Sequence, residues 1–245
     1  MSVRMPELDA EILGRRDRIV TALRSIVPGE GVIAGEREMR PYETDGLTAY
    51  RQLPMVVVLP ETTQQVAEVL RYCHDEGIKV VPRGAGTSLS GGALPLGDGV
   101  LLGMAKFNRI REIDFENRVA VVEPGVTNLA VTNAVAHAGF YYAPDPSSQI
   151  ACTIGGNVAE NAGGVHCLKY GMTTNNLLGC EIVLITGEVL RIGGKHLDAS
   201  GYDLLGLITG SEGLLGVVTE VTVRILKKPE TARALLIGFP SSEDA

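Results

Sequence analysis

Two stretches of this chain carry glycines, hydroxyls and carboxamides at a density that packing alone does not need. They are Pro82-Arg83-Gly84-Ala85-Gly86-Thr87-Ser88-Leu89-Ser90-Gly91-Gly92 and Thr153-Ile154-Gly155-Gly156-Asn157-Val158-Ala159-Glu160-Asn161-Ala162-Gly163-Gly164. Consecutive backbone N–H groups in a glycine-rich turn make a concave nest for anionic oxygens, and a missing Cβ lets the backbone approach a ligand closely. In the first stretch Thr87, Ser88 and Ser90 add hydroxyl donors and Arg83 adds positive charge. The second suits either a flat group lying against backbone or a small-residue helix packed on a neighbour. Each alone has a plain reading as a tight turn. Together, flanked by apolar runs, they point to an anion-binding cleft.

Two familiar phosphate motifs fail on detail. The G-x-G-x-x-G dinucleotide fingerprint needs glycine where Leu89 stands and a helix opening directly from the loop, and it follows the first strand of its unit rather than the second. The P-loop needs Gly-Lys-Ser/Thr, which occurs nowhere in the chain.

The elements that must position these stretches are legible from apolar periodicity. Residues 55–59 form a continuous apolar run closed by Pro60, the pattern of a buried strand. Thr62-Thr63-Gln64-Gln65 has capping-box spacing, Val66, Val69, Leu70 and Cys73 follow at helical intervals, and Gly77 is placed to stop the helix. Residues 78–81 are a second buried strand that runs into the first glycine stretch, completing a β-α-β unit. Beyond it antiparallel strands are expected at 100–104, 110–114, 119–122, 180–185, 189–192 and 217–226, with Thr186-Gly187 as a hairpin turn. A helix is expected from Thr127 to His137, stopped by Gly139, and a short one near 202–207. Residues 141–171 show almost no periodicity, and an aperiodic stretch of that length in a compact domain is usually functional. The N-terminus reads as one amphipathic helix over 6–27. After Pro229, residues 234–239 read as a strand and Ser241/Ser242 as a helix cap with no helix behind it, so the chain is expected to be part of a longer protein. The domain scheme is thus 1–53, a helical segment; 54–228, the binding domain; and 229–245, the start of another.

Composition narrows the function. A net charge of -7 across 245 residues, with no clustered Lys/Arg motif, argues against a nucleic-acid partner. No apolar run approaches a bilayer span, and the charged N-terminus is not a signal peptide. Cys73, Cys152, Cys167 and Cys180 show no C-x-x-C spacing and read as reduced core thiols, with His166 beside Cys167 leaving a metal site conceivable but no metal site assigned. A cytoplasmic protein is expected.

Further motifs follow in order: Asp145-Pro146-Ser147-Ser148-Gln149, Lys169-Tyr170-Gly171, and Gly210-Ser211-Glu212-Gly213-Leu214-Leu215-Gly216-Val217-Val218-Thr219-Glu220. With both glycine stretches, this order resembles the FAD-binding (PCMH-type) domain of the vanillyl-alcohol oxidase / p-cresol methylhydroxylase flavoprotein superfamily. Within it the chain is most similar to the family of FAD-binding D subunits of bacterial glycolate oxidases. The resemblance covers nearly the whole chain and is dense from 80 to 229.

The resemblance implies an α+β fold of two α/β subdomains, a small parallel β-α-β part and a larger, mostly antiparallel part, with FAD between them. It implies that Arg83, Gly84, Ala85, Gly86, Thr87 and Ser88, with Gly91 and Gly92, hold the diphosphate. Pro144, Thr153, Gly156, Asn157, Asn161 and Gly164 would line the ribityl and ring side, with Tyr170 and Gly171 close by, and Glu212, Gly213 and Val218 would meet the adenosine end. Some members tether the flavin through a histidine in the first loop or a cysteine ahead of the second stretch. Here Thr87 takes the histidine's place and Cys152 directly precedes Thr153, so non-covalent FAD is expected. The implied activity is oxidation of a small 2-hydroxy acid, glycolate, to the 2-oxo acid. The alternatives are a D-lactate or D-2-hydroxyglutarate dehydrogenase, or an accessory FAD-binding subunit without substrate chemistry. The implied partners are a second flavin-domain-like subunit and an iron–sulfur subunit, with contact to the inner membrane only through partners. Substrate-binding groups are expected mainly beyond this chain; His137, His166 and His196 read as structural, and no catalytic residue is assigned.

Overall fold

The computed structural model describes residues 5–196 and 201–245. The first unit is laid down in chain order: α1 (Ala10–Gly14), α2 (Arg16–Ile26), β1 (Val32–Ile33), α3 (Glu36–Met39), β2 (Val56–Val58), α4 (Thr63–Asp75), β3 (Lys79–Arg83) and β4 (Gly99–Gly103). The expected single helix over 6–27 is instead two. Asp9 caps α1 by accepting the N–H groups of Glu11 and Ile12, and the chain breaks at Arg15, whose guanidinium bonds the Glu76 carboxylate (2.7 Å) and carbonyl (3.2 Å). Helix α4 starts as read: Thr62 Oγ1 accepts the Gln65 N–H, while the Gln65 side chain takes the Glu61 N–H rather than that of Thr62. The glutamine thus steadies the approach to the helix instead of closing the box on its cap. Val66, Val69, Leu70 and Cys73 face the core, where burial pushes the Cys73 thiol up to about 12.

The four-stranded sheet has the order β1-β2-β4-β3. Strand β4, expected to be antiparallel, lies parallel to both β2 and β3 and between them. All five of its residues are buried, and burial on both faces is the signature of a central parallel strand. The glycine-rich connection after β3 is long enough to carry the chain back to the same end of the sheet, which is what makes this direction possible.

The second unit contains β5 (Ile110–Asp114), β6 (Val119–Val122), α5 (Asn128–Val135), β7 (Phe140–Tyr141), α6 (Ile154–Glu160), α7 (Cys167–Tyr170), β8 (Leu177–Val183), β9 (Val189–Gly193), α8 (Leu204–Ile208), β10 (Val217–Arg224) and β11 (Leu226–Lys227). Its five-stranded sheet, β5-β6-β10-β8-β9, is antiparallel throughout. The α+β architecture of a small, largely parallel part and a larger antiparallel part is therefore as expected. The stretch 141–171 is less irregular than its composition implies. Helix α6 lies inside it, and its small residues leave only Ile154 and Val158 to reach the core, too few to make a visible stripe. Residues 234–239 form no strand; Leu235, Leu236, Ile237 and Phe239 are exposed, and no neighbouring strand among the described residues supplies the ladder bonds a strand needs.

The two units are pinned to each other. Val183 and Val217 of the larger sheet pack into the core formed by α4 and the smaller sheet. Glu181 Oε1 accepts hydrogen bonds from Thr63 of α4 and Thr219 of β10, both at 2.9 Å, and Arg191 pairs with its other oxygen at 2.7 Å.

At the end of β6 the fully buried Glu123 accepts the Arg109 N–H (2.8 Å) and side-chain bonds from Arg109 and Arg111. Burial alone would raise its pKa; the arginine bonds outweigh this and hold it below the ordinary carboxylate range. Glu123→Gln should lower unfolding free energy by about 3 kcal/mol, read from the urea midpoint near neutral pH. Because the folded value is depressed, that contribution is present above the ordinary value of 4.5 and is lost as pH falls through the lower folded value. The gap between wild type and variant should close in acid; a gap that persists there contradicts this assignment.

Candidate functional site

The two glycine stretches come together as two walls of one cleft between the units. The first leaves the C-terminal end of β3; the second is α6 and its approach, anchored by Ile154 N–H to Val126 O and Gly155 N–H to Pro124 O, both 2.8 Å. A third segment, Gly210-Ser211-Glu212-Gly213, docks on the far end of α6 through Gly210 N–H to Val158 O and Glu212 N–H to Ala159 O, again 2.8 Å each. Between them lie two adjoining cavities, a larger and a smaller, that share Pro82, Gly84, Thr153, Gly156, Ala159 and Glu212 as wall.

Of the residues expected to hold a cofactor, Gly84, Ala85, Gly86, Thr87, Ser88, Gly92, Thr153, Gly156, Asn157 and Glu212 line the larger cavity. Arg83, Gly213 and Val218 line the smaller, whose wall also includes Gly84, Thr153, Gly156 and Glu212. Gly91, Pro144, Asn161, Gly164, Tyr170 and Gly171 line neither. Most of these support the wall from behind. Gly91 gives its N–H to Asp45 (3.1 Å), and Pro144 O accepts from Asn128, which in turn accepts from Asn157 (2.8 Å). Asn161 ends α6 in the left-handed region and holds the Thr174 N–H, while Gly164 packs on Asp145. His166 Nδ1 bonds Asp145 Oδ2 at 2.7 Å rather than turning to its neighbour Cys167, which is exposed.

The cradle itself is a run of backbone donors. Among the described residues, the N–H groups of Ala85, Gly86, Thr87 and Ser88 have no acceptor within the chain. Such groups stay open only where water or a ligand satisfies them. The loop is held in this shape from its outer side by residues the sequence pattern did not single out. Asp45 is buried; Oδ2 takes the Gly91 N–H and Oδ1 the Leu47 N–H (3.0 Å), and Gly46 N–H bonds Ser88 O (2.9 Å). Arg83 does not reach toward a ligand with its Nη1, which donates to Thr44 O (2.8 Å) and Ala93 O (2.9 Å). Burial lowers its pKa, with Asp45 opposing. It is the one basic residue lining either cavity among the described residues, whereas Glu160 and Glu212 contribute carboxylates. The cleft thus presents amide and hydroxyl dipoles, with Arg83, one guanidinium nitrogen of which is committed to backbone carbonyls, as its one basic side chain among the described residues.

These residues fit a nucleotide diphosphate. A Cβ on Gly84 would strike Thr153 Oγ1, so the loop and α6 approach as closely as backbone allows. Gly86 has φ +71°, and a Cβ there would meet the Arg83 guanidinium that braces the loop. Only glycine serves at both.

Fold and cleft together define a flavin-nucleotide domain of two units closing on an amide cradle. The chain belongs to the FAD binding domain family, which matches residues 54–193. It is 56% identical over 241 residues to the glycolate oxidase subunit GlcD of Escherichia coli (strain K12), covering 98% of this chain and 47% of that protein. It is 41% identical over 205 residues to the D-lactate dehydrogenase of Archaeoglobus fulgidus, covering 83% and 46%. The fold is similar to that of p-cresol methylhydroxylase solved with substrate bound, with a TM-score of 0.78 and 23% identity, covering 94% of this chain and 46% of that one. The chain spans about half the length of the curated relatives it matches.

Gly86→Ala forces a Cβ into a left-handed position against Arg83, at a cost of about 1–2 kcal/mol in the loop alone. Asp45→Ala frees the loop from its outer anchor. Both variants should purify with less than half the wild-type flavin per chain while keeping the wild-type far-UV circular dichroism. Full flavin content in either contradicts the cradle described here.

Proposed function

We propose that this chain is the FAD-bearing part of an enzyme that oxidises a small 2-hydroxy acid, glycolate, to the 2-oxo acid. The observation that carries this is the amide cradle set in a chain 56% identical, along nearly its whole length, to a glycolate oxidase subunit. In this reading the N–H groups of Ala85, Gly86, Thr87 and Ser88, with the Thr87 and Ser88 hydroxyls, hold the diphosphate. Thr153, Gly156 and Asn157 border the ribityl side, Pro144, Asn161, Gly164, Tyr170 and Gly171 shape the wall toward the ring, and Glu212, Gly213 and Val218 meet the adenosine end. When bound, the flavin supplies the hydride acceptor. This chain's residues fix its orientation and exclude water from one face, and the base that takes the hydroxyl proton is proposed to lie beyond the matched half of the relatives.

The flavin is proposed to be held without a covalent bond. Thr87 offers no imidazole, and the Cys152 thiol is buried; burial raises its pKa, against bonds from Ser148 and Asn157. Trichloroacetic acid should therefore release all the flavin into the supernatant; yellow, flavin-bearing pellet contradicts this.

Residues 54–228 are proposed as the FAD-binding unit and 229–245 as the opening of another. A second flavin-domain-like subunit and an iron–sulfur subunit are proposed as partners that carry electrons onward. No helix among the described residues is long and apolar enough to cross a membrane. A cytoplasmic site, with inner-membrane contact made through partners, is part of the same proposal.

The similarity to a D-lactate dehydrogenase supports a second reading, in which the acid is D-lactate. Anaerobic mixing of the FAD-loaded, full-length protein with glycolate, D-lactate and D-2-hydroxyglutarate distinguishes them through loss of the flavin band near ~450 nm. Glycolate should bleach it fastest. Faster bleaching by another acid selects the dehydrogenase reading, and no bleaching by any leaves an accessory flavin subunit.

A further inference from the structure

Two carboxylates face the cleft with nothing in the chain to answer them. Glu160 and Glu212 line the larger cavity, and among the described residues neither side chain makes a hydrogen bond or an ion pair. They converge on one point: Glu212 Oε2 lies 2.6 Å, and Glu160 Oε1 3.5 Å, from where a Cβ on Gly92 would stand. Gly92 closes the loop that carries the open N–H groups of Ala85 to Ser88, and these residues line the same cavity. An ionised carboxylate only accepts hydrogen bonds. One cavity therefore presents donors along the loop and acceptors where the loop closes. Glu212 is held there against its backbone preference. Its φ is +53°, where residues with a side chain are uncommon, and its N–H bond to Ala159 O (2.8 Å) fixes it to α6.

Glu212 also borders a third recess, which adjoins the first two. This is an apolar groove at the joint between the units, walled by Leu70 of α4, Val81 of β3, Val183 and Leu184 at the end of β8, and the exposed Leu214 and Leu215. From the cradle outward the cleft offers three chemistries in order: N–H donors, carboxylate acceptors and an apolar slot. A nucleoside 5′-diphosphate has the matching order, with phosphate oxygens, ribose hydroxyls that donate, and a flat base that gains by leaving water. A phosphate on the ribose would instead meet two carboxylates, a like-charge contact. None of the three zones requires a flavin ring, and Pro144, Asn161, Gly164, Tyr170 and Gly171 on the expected ring side line neither of the first two cavities. We propose that the flavin-free cleft is a site for a free nucleoside diphosphate with unphosphorylated ribose, which competes with FAD, and that Glu160 and Glu212 set this selectivity. The proposal rests on the cleft being a dinucleotide site and extends it to a second ligand.

ADP serves as probe, titrated calorimetrically into the full-length protein from which flavin has been removed. ADP should bind, FAD should displace it, and rising ADP should weaken apparent FAD affinity in proportion, as competition for one site requires. ADP carrying a further phosphate on its ribose should bind at least about tenfold more weakly, the cost of setting like charges together. Glu160→Gln and Glu212→Gln should each narrow that gap part of the way, and the double variant should reduce it to about threefold or less. Far-UV circular dichroism identifies the variants that fold, and the wild-type titrations stand without them. No ADP binding by protein that takes up FAD overturns the proposal and leaves the flavin reading standing. Selective ADP binding by protein that takes up no FAD keeps the nucleotide site and defeats the flavin reading. ADP that FAD does not displace, equal affinity for the ribose-phosphorylated analogue, or a gap unchanged in every folded variant each overturn the proposal.

Discussion

Four neighbouring backbone N–H groups, those of Ala85, Gly86, Thr87 and Ser88, are left without acceptors among the described residues, and much of the structure serves to keep them so. A loop free to relax could pair these groups within the chain and close the cradle. It is prevented from two sides. Asp45 and Arg83 fasten the outer surface of the loop to residues 44–47 and to Ala93, and the contact of Gly84 with Thr153 sets its distance from α6. This arrangement takes two charges, Asp45 and Arg83, out of water, and commits Arg83 Nη1 to the carbonyls of Thr44 and Ala93.

That constraint propagates outward. The loop can begin only where β3 ends, so the parallel sheet must present that end to α6; the placement of β4 between β2 and β3 gives β3 its paired edge. Helix α6 must in turn be fixed to the larger sheet, through Ile154 and Val158 in its core and through the Gly210-to-Gly213 turn at its end. The Glu181 junction with Thr63 and Thr219 then sets the two units at one spacing. A cleft made of backbone from two units is only as accurate as the joint between them.

Local features of this arrangement were legible before the structure. The apolar runs of β2 and β3, the Thr62 cap of α4, the Thr186-Gly187 hairpin and both glycine stretches can each be read within about a dozen residues. What was not legible depended on distance in sequence. The direction of β4 is set by strands on both sides of it, and nothing within residues 99–103 distinguishes parallel from antiparallel pairing. The Asp45 latch joins positions 46 residues apart, in a stretch without periodicity. Helix α6 was hidden because a helix built to approach closely gives up the apolar stripe by which helices are recognised. In the candidate site, most of the loop residues line the cleft, while Pro144, Asn161, Gly164, Tyr170 and Gly171 lie outside the lining of its two cavities.

The central claim is that a diphosphate is held here by backbone dipoles and not by side-chain charge. Comparing the affinities of the flavin-free protein for FAD and for riboflavin across a range of salt concentrations tests it most directly. Riboflavin, which lacks both the diphosphate and the adenosine, should bind at least about a hundredfold more weakly, and the discriminating result is the salt series, in which FAD affinity should change little because no exposed cation is being screened. Equal affinity for the two ligands, or FAD binding that collapses as salt rises, would contradict it.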